Sequence, residues 1–293
     1  MWCVRITVWV MFVVTVVAAG PRAWAVARGR WQALQRSAPK GAQVDLDRVG
    51  FVSLPEWLRG DTLTAVSLDL ATALRGRVGL LDDRATTLLR STLQAVPWVR
   101  DIHLHRVYPD RLRVELTLRA PLIRLEVAGQ RDVACDRDGV CLPCPPRSEL
   151  PSVLAQVTAP PADVVLGRPH PDPAVRAAAA VAAEWGDHIA DVVPGLPPLR
   201  QVDVSNLGYA ADPTRLCEVR VAVQRADGKL VWFDYDHPVG SEAPRVEAAT
   251  KAGVLRQLLA AHPGLVGVAA ADLRFAKRWQ AWVVYETGDA APP

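Results

Sequence analysis

Between Trp98 and Leu118 the chain alternates apolar and polar positions with a period of two. Trp98, Ile102 and Leu104 share one face of the first run. In the second run Leu112, Val114, Leu116 and Leu118 oppose Arg111, Arg113, Glu115, Thr117 and Arg119. Tyr108-Pro109-Asp110 joins the two runs. The pattern predicts an antiparallel hairpin with one face buried and one wet. Upstream the period lengthens. Ala65 to Arg75 is rich in Leu and Ala and stops at Gly76, which predicts a helix with a glycine stop. A second helix is expected after an Asp82 or Asp83 N-cap. Its apolar face would carry Leu81, Ala85, Leu88, Leu89, Thr92, Leu93 and Val96, and Pro97 would end it. Val44-Asp45-Leu46-Asp47 alternates as a short strand. Residues 43–119 thus predict a β-α-α-β-β unit, with two helices on one face of a three-stranded sheet.

A second region, residues 120–287, reads as an α+β domain dominated by sheet. Val133-Ala134-Cys135 and Val140-Cys141-Leu142 flank the turn signal Asp136-Arg137-Asp138-Gly139. If residues 137–139 form a three-residue loop, Cys135 and Cys141 fall directly opposite each other. Pro-rich loops (143–151 and 159–173) lead to a helix over Ala174–Trp185, then to strands over 200–206, 216–224 and 229–235. A helix over Arg245–Ala261 presents Val246, Ala249, Val254, Leu258 and Ala261. Two strands, 266–275 and 279–286, follow, and 288–293 is a tail.

The N-terminus changes the picture. Ile6 to Gly20 is uninterrupted apolar sequence, and taken from Met1 it reaches the roughly 20 residues a helix needs to span a bilayer. Residues 1–21 read either as an uncleaved transmembrane anchor or as a signal peptide, with Ala23-Trp24-Ala25 as a small-x-small cleavage site. Arg22, Arg28, Arg30, Arg36 and Lys40 follow the stretch in the linker 22–42, while Arg5 alone precedes it, a bias opposite to that of an anchor with its N-terminus inside. Both readings export the bulk of the chain. Half of the 293 residues are hydrophobic and 22% are charged, a globular composition. The net charge, 34 − 31 = +3, is too small to point to nucleic acid. Cys135, Cys141, Cys144 and Cys217 lie outside the apolar stretch and are disulfide candidates in an oxidising compartment, with three possible pairings.

Candidate chemistry is sparse. His103 and His105 would share one strand face without a third ligand nearby in sequence, which favours surface histidines over a metal site. Cys141-Leu142-Pro143-Cys144 has the spacing of a redox or zinc motif. Cys135 supplies only a third ligand, however, and Pro145-Pro146 stands where a redox site needs a helix N-terminus. Asp136-x-Asp138-Gly139 begins like a calcium loop but lacks the terminal Glu of the twelve-residue pattern. No phosphate-cradling glycine loop, His-based zinc motif or nucleophile elbow occurs. The expectation is a protein without enzymatic activity, catalytic residues, cofactor, metal, nucleic-acid partner or small-molecule substrate.

Several local motifs stand in a telling order: Pro97-Trp98-Val99, Tyr108-Pro109-Asp110-Arg111-Leu112, Arg119-Ala120-Pro121, Asp136-Arg137-Asp138-Gly139, Leu150-Pro151-Ser152-Val153-Leu154 and Ala271-Asp272-Leu273-Arg274-Phe275. In this order, after an N-terminal apolar segment, they resemble the FtsQ/DivIB family of bacterial division proteins. The resemblance implies a single-pass protein of the inner (cytoplasmic) membrane, anchored by residues 1–21, with a POTRA domain over 43–119 and an FtsQ-like β domain over 120–287. It implies a scaffold at the division septum that binds divisome membrane proteins of the FtsB and FtsL type, without catalysis. In the family a partner adds to the last strand of the second domain. Here that strand is expected over Trp279–Glu286, with Arg274, Trp279, Trp282, Val284 and Tyr285 as partner-binding residues. The competing reading is that Trp282 and Val284 only pack the core. The alternative for the whole chain is a cleaved, soluble, POTRA-containing binding protein of the cell envelope.

Overall fold

The structure is a computed structural model that describes residues 43–46, 55, 57–79, 82–107, 111–125, 133–145, 150–154, 164–209, 211–215 and 217–286. The apolar stretch Ile6–Gly20, the linker, Leu81, the Tyr108-Pro109-Asp110 connection and the tail lie outside these residues. The described residues within Met1–Val52, Leu70–Leu93 and Ile102–Leu116 pack into one compact unit. Those within Ser53–Asp69, Gln94–Asp101 and Thr117–Pro293 pack into a second.

In chain order, β1 (Gln43–Asp45) is followed by α1 (Gly60–Ala73), β2 (Arg77–Gly79), α2 (Asp83–Gln94), β3 (Val99–Val107) and β4 (Arg111–Leu118). α1 starts a turn earlier than the sequence pattern predicts, with Asp61 in its first turn, where a carboxylate favours the positive end of the helix dipole. Val66, Leu70 and Leu74, four apart, are its buried stripe. Past its end Gly76 has φ +94°, a conformation that favours glycine. α2 begins as expected: the Asp82 carboxylate accepts from the backbone N–H of Arg84 (2.9 Å) and Ala85 (3.2 Å). Its buried residues are Leu89 and Leu93. Leu88 and Thr92, expected on that face, are exposed, so the apolar stripe is narrower than the composition promised.

The expected three-stranded sheet is replaced, among the described residues, by two separate two-stranded ladders. β1 pairs antiparallel with β2, the strand between the helices, and β3 pairs with β4. The alternation in the hairpin is as the sequence predicts. His103, His105, Arg113, Glu115 and Thr117 are exposed, and Ile102, Leu104, Leu112, Val114, Leu116 and Leu118 are half-buried.

The second unit is built on a nine-stranded mixed sheet. Its strands are β5 (Ile123–Leu125), β6 (Val133–Cys135), β7 (Cys141–Pro143), β8 (Ser152–Leu154), β9 (Leu199–Asp203), β10 (Val219–Gln224), β11 (Leu230–Asp236), β12 (Val268–Asp272) and β13 (Val283–Tyr285). The spatial order is β13-β12-β11-β10-β9-β8-β5-β6-β7. β9, β10 and β11 form an antiparallel meander, and β12 lies parallel to β11 after the crossover helix α4 (Ala248–Ala261). The other helix, α3 (Pro173–His188), opens on an Asp172 cap that accepts from Ala174 N–H at 2.8 Å, with Pro173 at its first position.

Helices α3 and α4 pack together over one face of this sheet. The core beneath them contains Val175, Val181 and Trp185 from α3, Val254, Leu255 and Leu258 from α4, and Val202, Val221, Val223, Phe233 and Tyr235 from the strands. Trp185 lies 6.3 Å from Phe233 and 6.1 Å from Tyr235, centroid to centroid. Aromatic contacts of this kind add about 1 kcal/mol to the burial itself. On the opposite face Arg220 pairs with Asp234 at 2.8 Å and lies over the Trp232 ring at 5.1 Å. The fold is therefore α+β with a large mixed sheet.

Residues 94–101 belong to this second unit for specific reasons. Trp98 is fully buried, its indole N–H donates to Asp69 at 3.1 Å, and it stacks on Trp57 at 6.5 Å. The Trp98 carbonyl accepts from Arg119 N–H at 2.7 Å.

Candidate functional site

A nine-stranded open sheet has two edges, and each exposes a row of backbone N–H and C=O groups unless something covers it. At the β7 edge, residues 167–170 act as a cover. Cys141 N–H donates to the Arg168 carbonyl (2.8 Å), Gly167 N–H to the Cys141 carbonyl (2.7 Å) and His170 N–H to the Gly139 carbonyl (2.8 Å). His170 is buried there and accepts from Asp172 N–H through Nδ1 at 3.1 Å. Burial holds its pKa below the usual histidine range; Asp172 pulls the other way and Arg176 adds to the depression.

The β13 edge differs. β13 pairs on one side with β12, in the register Val268↔Tyr285, Ala270↔Val284 and Ala271↔Val283. Among the described residues no strand lies on its other side. Val284 is 58% exposed, Trp282 41% and Phe275 37%. Phe275 and Trp282 stack face to face with centroids 4.4 Å apart, and the Arg274 guanidinium lies 5.5 Å from the Phe275 ring centre. The edge is thus flanked by an exposed aromatic platform. A salt-bridge cluster fixes its far end. Glu286 accepts from Arg225 (3.0 Å) and Lys229 (2.8 Å), and Arg225 also donates to the Leu265 carbonyl (3.2 Å) and to Asp227. The Arg225 guanidinium holds the Asp227 carboxyl down at about 2.

Among the five partner-binding residues expected from sequence, this arrangement separates two groups. Trp282 and Val284 are exposed at the edge. Tyr285 is half-buried beside His262, 5.5 Å away between ring centroids. Arg274 is half-buried and committed to Asp272, with Nη2 at 2.6 Å and Nε at 3.0 Å from its oxygens. Trp279 is in the core cluster, 8% exposed. The expected strand over 279–286 is shortened to Val283–Tyr285, because residues Ala276–Trp282 coil into 3-10 turns broken at Arg278. That coil packs against α4 and β12 and turns Trp279 inward while Trp282 stays outside, a split that straight alternation would not give. The preceding strand is likewise shorter, Val268–Asp272. Phe275, quoted from sequence only as part of a motif, is the platform residue sequence reasoning missed.

A second cluster was invisible in the sequence. Lys251, on α4, is fully buried; its Nζ lies 3.4 Å from Asp236, 3.6 Å from Glu184 and 3.9 Å from the Tyr235 ring centre. Burial depresses its pKa, and the charges of Asp236 and Glu184 offset part of that. Burial would raise Glu184, but hydrogen bonds from Arg245 (2.9 and 3.1 Å) and Tyr235 (2.6 Å), with the Arg245 and Lys251 charges, hold it below the usual carboxylate range. A buried lysine of lowered pKa suits a catalytic base. Here its ammonium has no exposed surface for a substrate to reach, and the cluster ties α3, β11 and α4 together.

His103 and His105 stack 6.5 Å apart on an exposed face, and His105 pairs with Glu115 at 3.7 Å. A cleft of about 520 Å³ in the first unit, lined by Thr86, Arg90, Leu104, His105 and Arg106, lies beside them. Its Arg106 is already engaged by Asp83 and Thr86. Among the described residues no group of three or more His, Cys, Asp or Glu side chains is placed to hold a metal, and no helix is long and apolar enough to cross a membrane. In comparisons with known proteins the chain matches no family model and no curated protein.

Proposed function

We propose that this chain is a non-enzymatic scaffold of the bacterial cell envelope that docks a partner polypeptide by strand addition at β13. The carrying observation is the asymmetry of the sheet: its β7 edge is capped by residues 167–170, whereas among the described residues no strand covers the outer side of β13, which lies next to an exposed Phe275–Trp282 stack. An added strand would pair with the outward backbone groups of β13, apart from the Val283 N–H, which already donates to the Gln280 carbonyl, and the aromatic pair would give side-chain specificity. The sequence resemblance to FtsQ/DivIB supplies the context. On that reading residues 1–21 anchor the chain in the inner membrane, residues 43–119 are a POTRA domain, and the partner is a divisome membrane protein of the FtsB or FtsL type at the septum. The two helices followed by the β3–β4 hairpin are what residues 43–118 share with a module of that kind; the added strand β2 and the two separate ladders depart from it.

A fluorescent protein fused to the N-terminus and imaged in dividing cells of the host tests the anchored reading. A band at the constriction site is the expected result. A diffuse signal, or a tag cleaved from the chain, would overturn the septal assignment.

A further inference from the structure

We propose that Cys135 and Cys141 form a cross-strand disulfide that staples the β6–β7 hairpin when the chain folds in an oxidising environment. The four described cysteines are unbridged thiols in this structure. The register sets Cys135 directly opposite Cys141. Asp136 N–H donates to the Val140 carbonyl (3.1 Å), so the 136/140 pair is a hydrogen-bonded one, and such pairs alternate along an antiparallel ladder. The backbone groups of the two cysteines are used elsewhere. Leu122 N–H donates to the Cys135 carbonyl (2.8 Å), and both the N–H and C=O of Cys141 bond to residues 167–168. The 135/141 pair is therefore a non-hydrogen-bonded one. Opposed Cα atoms at such pairs lie about 4.5 Å apart, inside the roughly 4.4–6.8 Å a disulfide spans.

Both side chains are completely buried in the core cluster that α3 covers. The two thiols interact directly: the Cys135 thiol is raised, first by its hydrogen bond to Cys141 and then by burial, and the same bond lowers Cys141. The other two cysteines are placed differently. Cys217 is outside that cluster, next to Asp234, and burial pushes it up to about 12. Cys144 is half-buried, with its sulfur 3.8 Å from the Pro145 carbonyl.

The chemistry is thiol–disulfide exchange with a disulfide acceptor, here glutathione disulfide. The Cys141 thiolate attacks one acceptor sulfur, the acceptor S–S bond breaks, and one glutathione thiolate leaves. The Cys135 thiolate then attacks Cys141 Sγ and expels the second glutathione. Two cysteine thiols are oxidised, one acceptor disulfide is reduced to two thiols, and the two cysteine protons end on the two glutathiones. Because both sulfurs are buried once the unit has formed, the exchange belongs to folding, when the hairpin has closed but α3 has not yet covered it. This inference concerns the edge opposite β13 and is independent of the docking proposal.

The test is to refold the full chain from denaturant in a buffer of reduced and oxidised glutathione, block free thiols, and map tryptic peptides without reduction. Asp132–Arg137 carries Cys135, and Asp138–Arg147 carries Cys141 and Cys144. The expected product is these two peptides linked, retained in Cys144→Ser and lost in Cys141→Ser. Reduction should lower the melting temperature by about 5 °C, a modest shift because the closed loop is short. Folded protein with Cys135 and Cys141 both alkylated, or a link that survives Cys141→Ser, would overturn the proposal.

Discussion

Replacing Arg225 with Met tests whether the salt-bridge cluster around Glu286 is what fixes the β13 edge. The side chain is 5% exposed and donates to three acceptors: the Leu265 carbonyl at 3.2 Å, Glu286 at 3.0 Å and Asp227. Loss of the carbonyl bond costs about 1 kcal/mol, and loss of the charge-assisted bond to Glu286 about 1.5 kcal/mol. The second value is taken at the low end because Glu286 is 21% exposed and keeps Lys229 at 2.8 Å. Asp227 is open to solvent and adds nothing to the sum. Methionine refills most of the volume, so the expected loss is about 2.5 kcal/mol. That corresponds to a fall of about 7 °C in the melting temperature of a unit this size. The fall should come with a local signature: amide hydrogen exchange at Val283–Glu286 should speed up more than exchange in β10 or β11, since Glu286 N–H is bonded to Gly267 at the same end of the strand. An unchanged melting temperature with unchanged protection at 283–286 would refute the assignment of the cluster as the anchor of this edge.

Two further predictions concern the covered edge. The depressed pKa of His170 means that the unfolded chain takes up its proton first as pH falls. Its contribution to stability is complete above about pH 6.5, and is lost as pH falls from there through the lower folded value. Melting curves between pH 8 and pH 5 should show this decline, and His170→Gln should flatten it; parallel curves for the two proteins would contradict the assignment. Gly139 has φ +72°, and a Cβ there would meet Arg176 Cγ at 2.7 Å and Arg176 Cα at 3.3 Å. Gly139→Ala should therefore cost about 2 kcal/mol, measured by urea unfolding, through left-handed strain and the displaced arginine.

What the sequence revealed depended on whether a local rule was enough. The β3–β4 hairpin was legible because one of its faces is wet, so every second residue is polar. The Cys135–Cys141 register was legible because Asp136 to Gly139 is a turn whose length fixes the pairing. Among the three-residue strands, β1 was legible from the alternation of residues 44–47 and β6 and β7 from the turn between them, whereas β2, β5 and β8 carry neither signal. The final strand was read too long. Trp279 to Trp282 has strand-like composition, but burying Trp279 against α4 coils the backbone, a tertiary preference that overrides local pattern. The Glu184–Tyr235–Asp236–Lys251 cluster was hidden for a related reason. A lysine in a helix reads as solvent-facing, and only the packing of α4 over β11 places it inside.

The central claim is that β13 receives a partner strand, and a photo-crosslinking residue at Val284 in the host cell tests it most directly. Val284 is exposed at the edge that no described strand covers, while Arg168 lies in the segment that caps the other edge. Strand addition at β13 predicts a discrete crosslinked adduct with a membrane protein from position 284 and none from position 168. It further predicts that Val284→Asp abolishes recovery of that partner while leaving the melting temperature within about 2 °C, as a surface substitution should. No adduct at 284, or a Val284→Asp protein that melts markedly earlier, would show that this strand only packs the sheet.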